Sequence, residues 1–404
     1  MRSRALPLLF FMVCGCLDWT SRGEGDLSMA VASDGGADLA DLLGAADLTG
    51  ADLTPPPPLV LSFATPVPYP SGAYPNGVAL GDVNGDAKLD LVVANAGADT
   101  IGVLLNLGGG TLAARTDYAA GVSPNALALG DLNGDGKLDV VVDNYADAGK
   151  VSVLLNPGAG MFSARVDYPI GMQPESVAVG DLNGDGKLDV ALPIYGSNTV
   201  AVLLNQGGGT LAAKVDYPTG AGPYAVAIAD LNGDGKADVV VPNSNANTVS
   251  VLLNLGAATF AAKVDYPTGV APSSVVLGDV NGDGRVDLVV GDNGAASLSV
   301  FLNQGGGTFA AKVDYTVGAM PTSLALGDLN GDGRPDLTVA NKGSNGVSVL
   351  LNQGGGTFAA KVDYPTGLQA NYVTLGDLDG DGKLDLAVAN YTGDDITVLL
   401  NTSH

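Results

Sequence analysis

The sequence predicts an all-β fold, a seven-bladed β-propeller of four-stranded blades, and three observations support this prediction. A nine-residue acidic loop, Asp-x-Asn-Gly-Asp-Gly-x-x-Asp or a close variant, occurs seven times in steps of 49 or 50 residues. Each interval between loops contains short segments with the two-residue alternation of β-strands, separated by glycine-rich turns. The segment before the first loop matches the piece that the last repeat lacks. Repetition of a four-stranded unit in a closed ring is typical of propellers.

The repeat that begins near Ser274 shows the four predicted strands. We expect them at residues 274–278, 287–290, 298–302 and 309–315. The first is a short apolar strand that leads into the acidic loop, and the second is rich in β-branched residues. The fourth alternates, so that Phe309, Ala311, Val313 and Tyr315 share one face. Four short antiparallel strands in every repeat indicate one sheet per blade.

The two ends of the repeat region are predicted to meet in one blade. The last repeat stops after its third strand, near residues 396–400. The fourth strand that it lacks is present at the start of the region, where residues 63–69 align with residues 358–364. We therefore expect the first strand to complete the last blade, which leaves no open sheet edge in the ring. Pro66 and Pro68 suit a strand on the outer edge of a blade.

The first 16 residues have the pattern of a bacterial export signal. Arg2 and Arg4 precede an apolar run that is too short to span a bilayer. The run ends in Val-Cys-Gly-Cys at residues 13–16, which resembles the bacterial lipobox. The resemblance implies lipidation of Cys16, and hence an exported protein, either a membrane-anchored lipoprotein or one at the cell surface. An ordinary cleaved signal peptide or an uncleaved anchor is the alternative.

Residues 17–58 are predicted to be a linker, and residues 59–404 to be the propeller domain. The linker is rich in Ala, Asp and Leu, has too few large apolar anchors to build a core, and ends in a proline run. We expect a flexible tether with a short, stiff polyproline end, and a small helix around residues 38–48 is the alternative. The only cysteines, Cys14 and Cys16, precede the linker, so the propeller must be stable without disulfide bonds.

The negative charge of the chain is concentrated in the seven acidic loops. The formal net charge is −25, with 43 acidic residues against 18 Lys and Arg. Each loop carries three Asp and the last carries four, whereas the rest of the chain is near neutral. Bound cations would neutralise loops of this kind. The chain has no basic stripe that could meet phosphates, which argues against a nucleic-acid partner.

Each acidic loop offers oxygen ligands for a hard divalent cation. Side chains at positions one, three, five and nine can converge on an ion, and position seven can add its backbone carbonyl. Glycines at positions four and six allow the chain to curl around the ion. The candidate ligands are Asp82, Asn84, Asp86, Asp90, Asp131, Asn133, Asp135, Asp139, Asp181, Asn183, Asp185, Asp189, Asp230, Asn232, Asp234, Asp238, Asp279, Asn281, Asp283, Asp287, Asp328, Asn330, Asp332, Asp336, Asp377, Asp379, Asp381 and Asp385. We therefore predict Ca²⁺ binding, with about one ion per blade.

Other calcium-binding loops fit the spacing less well. An EF-hand needs Glu at position twelve, where this chain has Val or Leu in a predicted strand, as at Val142 and Leu192. Dockerin loops fail the same test, and nonapeptide β-roll repeats would recur every nine residues. The acidic loops, together with turn segments such as residues 303–309, closely resemble the FG-GAP, or VCBS-type, repeats of integrin α-subunit propellers and of many exported bacterial proteins.

The resemblance implies a calcium ion in the loop between the first and second strands of each blade. Two loops depart from the pattern: Ala87 replaces the second glycine of the first loop, and Asp379 replaces Asn in the last. We expect the first change to weaken its site and the second, which adds a charge, to tighten its site. Acidic turns that bind no metal are the alternative.

The 13 tyrosines fall into two groups. Seven occupy one repeated position in the fourth strand: Tyr69, Tyr118, Tyr168, Tyr217, Tyr266, Tyr315 and Tyr364. Propeller topology places the other six at connections on a single face: Tyr74, Tyr145, Tyr195, Tyr224, Tyr372 and Tyr391. Tyrosine supplies rigid contact area with a polar end. We predict that this face binds an extracellular glycan or protein, and the alternative is that these tyrosines only cover the ends of the blades.

The residues argue against an enzyme. The only histidine is His404 at the C-terminus, no cysteine follows Cys16, and no Gly-x-Ser-x-Gly elbow occurs. The clustered acids are better explained as metal ligands than as an acid–base pair. We predict a non-catalytic binding or adhesion module. A structural envelope scaffold and a polysaccharide-active enzyme are the alternatives, because a fold alone does not decide function.

Overall fold

The computed structural model describes residues 61–147 and 149–403, which form seven sheets of four antiparallel strands arranged as a propeller. These residues contain strands and turns and no helix, so none of their elements is an apolar helix that could cross a bilayer. The predicted export signal, the lipidation of Cys16 and the linker at residues 17–58 lie outside the described residues. The predicted all-β, seven-bladed fold is confirmed.

The strands repeat with nearly the same bounds in every blade. From blade 1 to blade 7, the first strands are Pro75–Gly81, Pro124–Gly130, Ala178–Gly180, Ala227–Ala229, Pro272–Gly278, Pro321–Gly327 and Ala370–Gly376. The second strands are Asp90–Asn95, Asp139–Asn144, Asp189–Ile194, Asp238–Asn243, Asp287–Asp292, Asp336–Asn341 and Asp385–Asn390. The third strands are Thr100–Leu104, Lys150–Leu154, Thr199–Leu203, Thr248–Leu252, Ser297–Phe301, Gly346–Leu350 and Asp395–Leu399. The fourth strands are Thr116–Ala119, Val166–Pro169, Val215–Pro218, Val264–Pro267, Val313–Thr316, Val362–Pro365 and Val67–Pro70.

The fourth strand is shorter than the sequence predicts, because the glycine-rich turn before it folds into a ribbon of its own. In blade 5 this ribbon pairs Asn303–Gly305 with Thr308–Phe309, and the fourth strand starts only at Val313. Similar ribbons are Asn106–Gly108 with Thr111–Leu112, Asn254–Gly256 with Thr259–Phe260, and Asn352–Gly354 with Thr357–Phe358. Phe309 is buried and its ring lies edge-on to Tyr266 of the preceding blade, with the centroids 5.4 Å apart. Packing between blades therefore interrupts the alternation expected over residues 309–315.

The N-terminal segment closes the ring in the predicted manner. Val67–Pro70 pairs with the third strand of blade 7, with Tyr69 opposite Ile396. Upstream, Phe63 forms a bridge with Asn401, which reproduces the pairing of Asn352 with Phe358 in blade 6. The segment thus replaces both the fourth strand and half of the small ribbon, and the ring has no open seam.

The core lies between adjacent blades. Second strands are buried along their whole length, and third strands along nearly all of it. Val92 of blade 1 packs in one cluster with Leu129 and Val140 of blade 2, and equivalent clusters follow around the ring. Each fully buried Val or Leu contributes about 1.5–3 kcal/mol relative to an exposed one. The repeated tyrosines add polar links, as where the Tyr69 hydroxyl donates to the Gly110 carbonyl of the next blade at 2.9 Å.

A buried acid in blade 5 replaces an amide that five other blades share. Asp292 takes the place of Asn95, Asn144, Asn243, Asn341 and Asn390 at the end of the second strand. It accepts hydrogen bonds from the Gly269 N–H at 3.0 Å and the Ser299 hydroxyl at 2.7 Å. The single Ser299 proton also faces Asp314, 3.0 Å away. Burial raises the pKa of Asp292 to about 6.

Asp292→Asn is expected to stabilise the protein above pH 6 and to flatten its pH dependence. Because the pKa of Asp292 is raised on folding, protonation of this carboxyl favours the folded state. Its contribution to the free energy of unfolding is complete below about pH 4 and is lost as the pH rises through about 6. The Asn amide can instead donate to Ser299, as Asn144 donates to Ser152. Urea unfolding at pH 5 and pH 8 should show a gain of about 1–3 kcal/mol that is confined to the higher pH. An equal gain at both pH values would contradict this account.

Strand order places two different sets of loops at the two ends of the blades. The acidic loops and the glycine-rich turns lie at one end, here called the acidic-loop face. The fourth-to-first and second-to-third connections lie at the other end, here called the variable face because their residues differ from blade to blade.

Candidate functional site

The acidic loops are closed by hydrogen bonds from the backbone to position one. In the third loop Asp181 accepts three N–H groups, from Gly184 at 2.7 Å, Asp185 at 3.1 Å and Gly186 at 2.8 Å. Gly184 and Gly186 both have φ near +80°, a conformation that glycine adopts without strain. The same pattern recurs around the ring, so the loop sequence specifies one compact backbone turn.

Position five faces outward in each loop. The Asp185 carboxylate lies 2.5 Å from the Lys187 ammonium at position seven, and this hydrogen bond lowers the pKa of Asp185. Asp283 has the same relation to Arg285. Position five is thus held by its own basic neighbour in these loops, and the convergence of positions one, three, five and nine on an ion stays a prediction.

Position nine is buried and lies at the centre of each loop's hydrogen bonds. Asp189 accepts the N–H of Leu182 at 3.0 Å and the N–H of Asn205 at 2.7 Å, one on each carboxylate oxygen. Burial raises its pKa to about 6. These contacts attach the acidic loop to both the second strand and the turn after the third strand.

A ring of asparagines, which the sequence analysis did not single out, joins each acidic loop to the loop of the preceding blade. Asn205 donates to the Leu188 carbonyl of its own blade at 3.0 Å and to the Leu132 carbonyl of the preceding blade at 2.8 Å. The side-chain carbonyl oxygen of Asn205 accepts the Gly207 N–H. The buried equivalents are Asn106, Asn156, Asn254, Asn303, Asn352 and Asn401. Their spacing of 16 or 17 residues after the last Asp of the loop was a usable signal.

The first and last loops contain the two departures from the loop pattern. Ala87 has φ +66°, a left-handed conformation that glycine adopts at the equivalent positions without strain. In the last loop, carboxylate oxygens of Asp377, Asp379 and Asp385 lie within 4.8 Å of one another. Among the described residues this is the one group of three or more acidic, His or Cys side chains that meets this criterion.

The six tyrosines predicted for a common face lie at the variable end, although not all of them are in loops. Tyr74 and Tyr391 stack with centroids 5.1 Å apart. The Tyr145 hydroxyl accepts from the Gln173 amide at 3.3 Å, and Tyr195 accepts from the Asn245 amide at 2.9 Å. Three of the six, Tyr224, Tyr372 and Tyr391, line the central cavity. Of these, Tyr372 belongs to the strand Ala370–Gly376 rather than to a loop.

The tip of every fourth-to-first connection on the variable face is held in a left-handed conformation. The tip residues have φ between +52° and +67° and are Tyr74, Ser123, Gln173, Gly222, Ala271, Met320 and Gln369. Side chains from the neighbouring blade hold several of them, as where the Ser123 N–H donates to Asp99 at 2.9 Å. The residue before the tip is often apolar and exposed: Met172 is 71% exposed, Leu368 58% and Val270 55%.

Six segments of the chain match the model of the FG-GAP-like repeat, at residues 82–142, 144–192, 193–241, 234–290, 279–339 and 328–388. Together these segments cover most of the propeller. The chain belongs to the FG-GAP-like repeat family. Its sequence has no match among curated proteins.

Solved propellers share the fold of these FG-GAP-like repeats at low sequence identity. Virginiamycin B lyase from Staphylococcus aureus is 14% identical, with a TM-score of 0.59 over 84% of this chain and 99% of the lyase. An Agrocybe aegerita lectin that recognises non-reducing terminal N-acetylglucosamine is 20% identical, with a TM-score of 0.52 over 84% of this chain and 86% of the lectin. A Desulfotomaculum acetoxidans protein is 17% identical, with a TM-score of 0.55 over 79% of this chain and 90% of that protein. One fold thus serves a lyase and a lectin, and function must be argued from the sites.

The first strands of the FG-GAP-like repeats surround a cavity of about 330 Å³ on the axis of the variable face. Most of these strands begin with a β-bulge, as between Pro75 and Gly77, and a bulge redirects a side chain. One residue per blade lines the cavity at this repeated position: Asn76, Asn125, Glu175, Tyr224, Ser273, Thr322 and Asn371. Several bond around the ring, as where Thr322 donates to the Asn371 carbonyl at 2.7 Å. Burial raises the pKa of Glu175 to about 7.

Proposed function

We propose that the chain is a calcium-stabilised, exported, non-catalytic binding module that recognises an extracellular glycan or protein through the variable face. The observation that carries the proposal is the variable face itself. Its apolar and tyrosine side chains are exposed on tips whose left-handed backbones are held by the neighbouring blades. Exposed apolar groups on rigid loops are typical of recognition surfaces, because binding then orders little further chain.

The chemistry of the acidic loops supports calcium as the stabilising ion. Every candidate ligand at positions one, three, five and nine is a carboxylate or an amide oxygen, the donors that calcium prefers. The pKa of Asp139, like that of Asp189, is raised to about 6 by burial, and a nearby cation would favour the charged form. When bound, the ion would neutralise each loop. The buried asparagine ring would then couple one loop to the next.

The lectin with this fold supports a glycan as one class of partner. Its recognition of N-acetylglucosamine is an example of sugar binding by a protein of similar fold. On this chain the stacked pair Tyr74–Tyr391 offers an aromatic surface, and Asn245 and Gln173 offer amides beside Tyr195 and Tyr145. Aromatic faces with adjacent amides suit both sugars and protein surfaces. Lipidation of Cys16 would hold this surface outside a membrane.

Two triple variants test whether the variable face binds. One replaces Met172, Val270 and Leu368 with Ser, and the other replaces Tyr74, Tyr145 and Tyr195 with Ala. Binding to intact bacterial cells, to purified envelope polysaccharide and to a glycan array should weaken by about tenfold or more, because each change removes exposed contact area from a rigid tip. The proposal would be wrong if both variants bound like the parent.

The matched control carries three apolar-to-Ser changes on the opposite face. Leu107, Met161 and Leu255 are 64%, 55% and 65% exposed, close to the values of the three tip residues, and lie in the glycine-rich turns. We expect this control to bind within about twofold of the parent. A loss as large as that of the tip variant would place the binding surface on the acidic-loop face instead.

A polysaccharide-active enzyme is the second candidate, and one feature favours it. Glu175 lines the central cavity with a pKa raised to about 7 by burial, which suits a general acid. The nearby Asp143 carboxyl is fully buried; burial raises its pKa, and the charge of Glu175 raises it further. Release of reducing ends from polysaccharides by the parent, abolished in Glu175→Gln, would establish catalysis in place of simple binding.

A further inference from the structure

The central cavity contains an ammonium group that has no carboxylate partner. The other 14 Lys and Arg side chains of the described residues each form a salt bridge. Lys342 does not; it lines the cavity, and its ammonium lies 4.2 Å from the centroid of the Tyr391 ring. Burial lowers the pKa of Lys342. In an acidic chain, a half-buried cation without a carboxylate is an exception to be explained.

The location of Lys342 follows from the repeat. It is the first residue after the second strand of blade 6, at a position filled by Ser244, Asn293 and Tyr391 in other blades. These side chains also line the cavity. Its backbone N–H donates to Met320 at 3.0 Å, so the chain is fixed at the cavity wall. Of the seven equivalent positions, this one alone carries a charge.

The remaining wall suits a polyhydroxylated molecule. The amides of Asn76, Asn293 and Asn371 and the hydroxyls of Thr322 and Ser273 surround the space. Ser274 also lines it, is 7% exposed, and its hydroxyl has no hydrogen-bond partner among the described residues. The volume of about 330 Å³ lies at the lower end of the range for small-molecule sites, roughly 300–1,000 Å³. Tyr224, Tyr372 and Tyr391 add aromatic surface.

We propose that the central cavity binds a carboxylate-bearing sugar, a uronate, with Lys342 as the counter-ion of its carboxylate. Glu175 is the one acid among the described residues that line the cavity; it forms no salt bridge with Lys342, and burial disfavours its charged form by raising its pKa to about 7. The Lys342 ammonium is therefore left to match one negative charge, whereas a phosphate dianion would leave an unpaired charge in a half-buried site. No Arg lines the cavity to offer a bidentate donor to phosphate. The amides and hydroxyls of the wall then receive the hydroxyl groups of the sugar, and the tyrosines contact its ring.

The site can be tested by equilibrium titration of the full chain in calcium-containing buffer at pH 7. The four ligands are sodium D-glucuronate, sodium D-galacturonate, D-glucose and D-glucose 6-phosphate. We expect a uronate to bind with a stoichiometry of about one, and at least about tenfold more tightly than glucose or the phosphate ester. Lys342→Met, which keeps the aliphatic stem, should weaken uronate binding by about tenfold or more, and Lys342→Arg should retain most of it. Lys361→Met is the control, because it removes a charge from the same blade at a lysine paired with Asp363.

Three results would overturn the proposal: no binding of either uronate, tighter binding of glucose 6-phosphate, or unchanged uronate binding in Lys342→Met. Because the cavity opens on the variable face, the site rests in part on the proposed function, but the two fail separately. If the tip variant loses cell and polysaccharide binding but the parent binds no uronate, only the cavity site is contradicted. If uronate binding depends on Lys342 but the tip and tyrosine variants bind cells and polysaccharide like the parent, only the wider binding face is contradicted.

Discussion

Chelation of calcium is expected to lower the melting temperature of the purified protein sharply, and calcium titration is expected to give a stoichiometry near seven. Without a cation, each loop holds three or four Asp in a small space, and their repulsion opposes folding. An ion that binds only the folded loop stabilises the chain by about 2.7 kcal/mol per site at a free concentration a hundredfold above its Kd. Seven loops in one ring add such terms, so we expect a large shift in calorimetric melting between excess calcium and excess chelator.

Single-loop variants sharpen the calcium prediction. Asp181→Ala removes position one of the third loop and should lower the stoichiometry by about one ion, with the other loops still occupied. Magnesium at the same concentration should stabilise less, because it demands a tighter octahedral shell. Calcium without effect on melting, together with no bound ions in equilibrium dialysis, would mean that the loops are acidic turns and that the calcium prediction is wrong.

Replacement of Asp189 by alanine is expected to destabilise the protein by about 2–6 kcal/mol even in the presence of chelator. The carboxylate of Asp189 is fully buried and is the acceptor for two backbone N–H groups, those of Leu182 and Asn205. Each buried N–H left without an acceptor costs about 1–3 kcal/mol. Because Asn205 also bonds to Leu132, the change should loosen the seam between two blades as well as one loop.

Asp185→Ala is the matched control for Asp189→Ala, because it removes an Asp from the same loop. Asp185 is exposed at the surface and contacts Lys187, and exposed pairs contribute about 0–1 kcal/mol. Asp189→Asn should fall between the two, since an amide can accept one N–H but presents a donor to the other. Urea unfolding in chelator gives all three free energies. Equal losses for Asp189→Ala and Asp185→Ala would show that position nine has no structural role apart from metal binding.

The sequence predicted more of the fold than of the candidate sites, and particular residues show why. The seven-bladed ring and its closure by residues 63–69 followed from repetition, because each repeat has the same alternation and the last one lacks a strand. The split of residues 309–315 could not be foreseen from alternation, since Phe309 leaves the strand to pack on Tyr266 of another blade. The contact between position five and position seven was not foreseen either, since Lys187 reaches Asp185 across the turn.

By itself, the sequence determined the local features of this protein: seven acidic loops, the strands on either side of them, and the glycines that curl each loop. These depend on residues close together in the chain. Only the tertiary structure decided what lies between blades and on the axis. Asn205 meets Leu132, Tyr74 meets Tyr391, and Lys342 is left without a carboxylate, because closure of the ring brings residues from distant repeats into contact. Those contacts depend on the geometry of the ring. The repeats predict that a ring forms, but they do not predict which side chains meet within it.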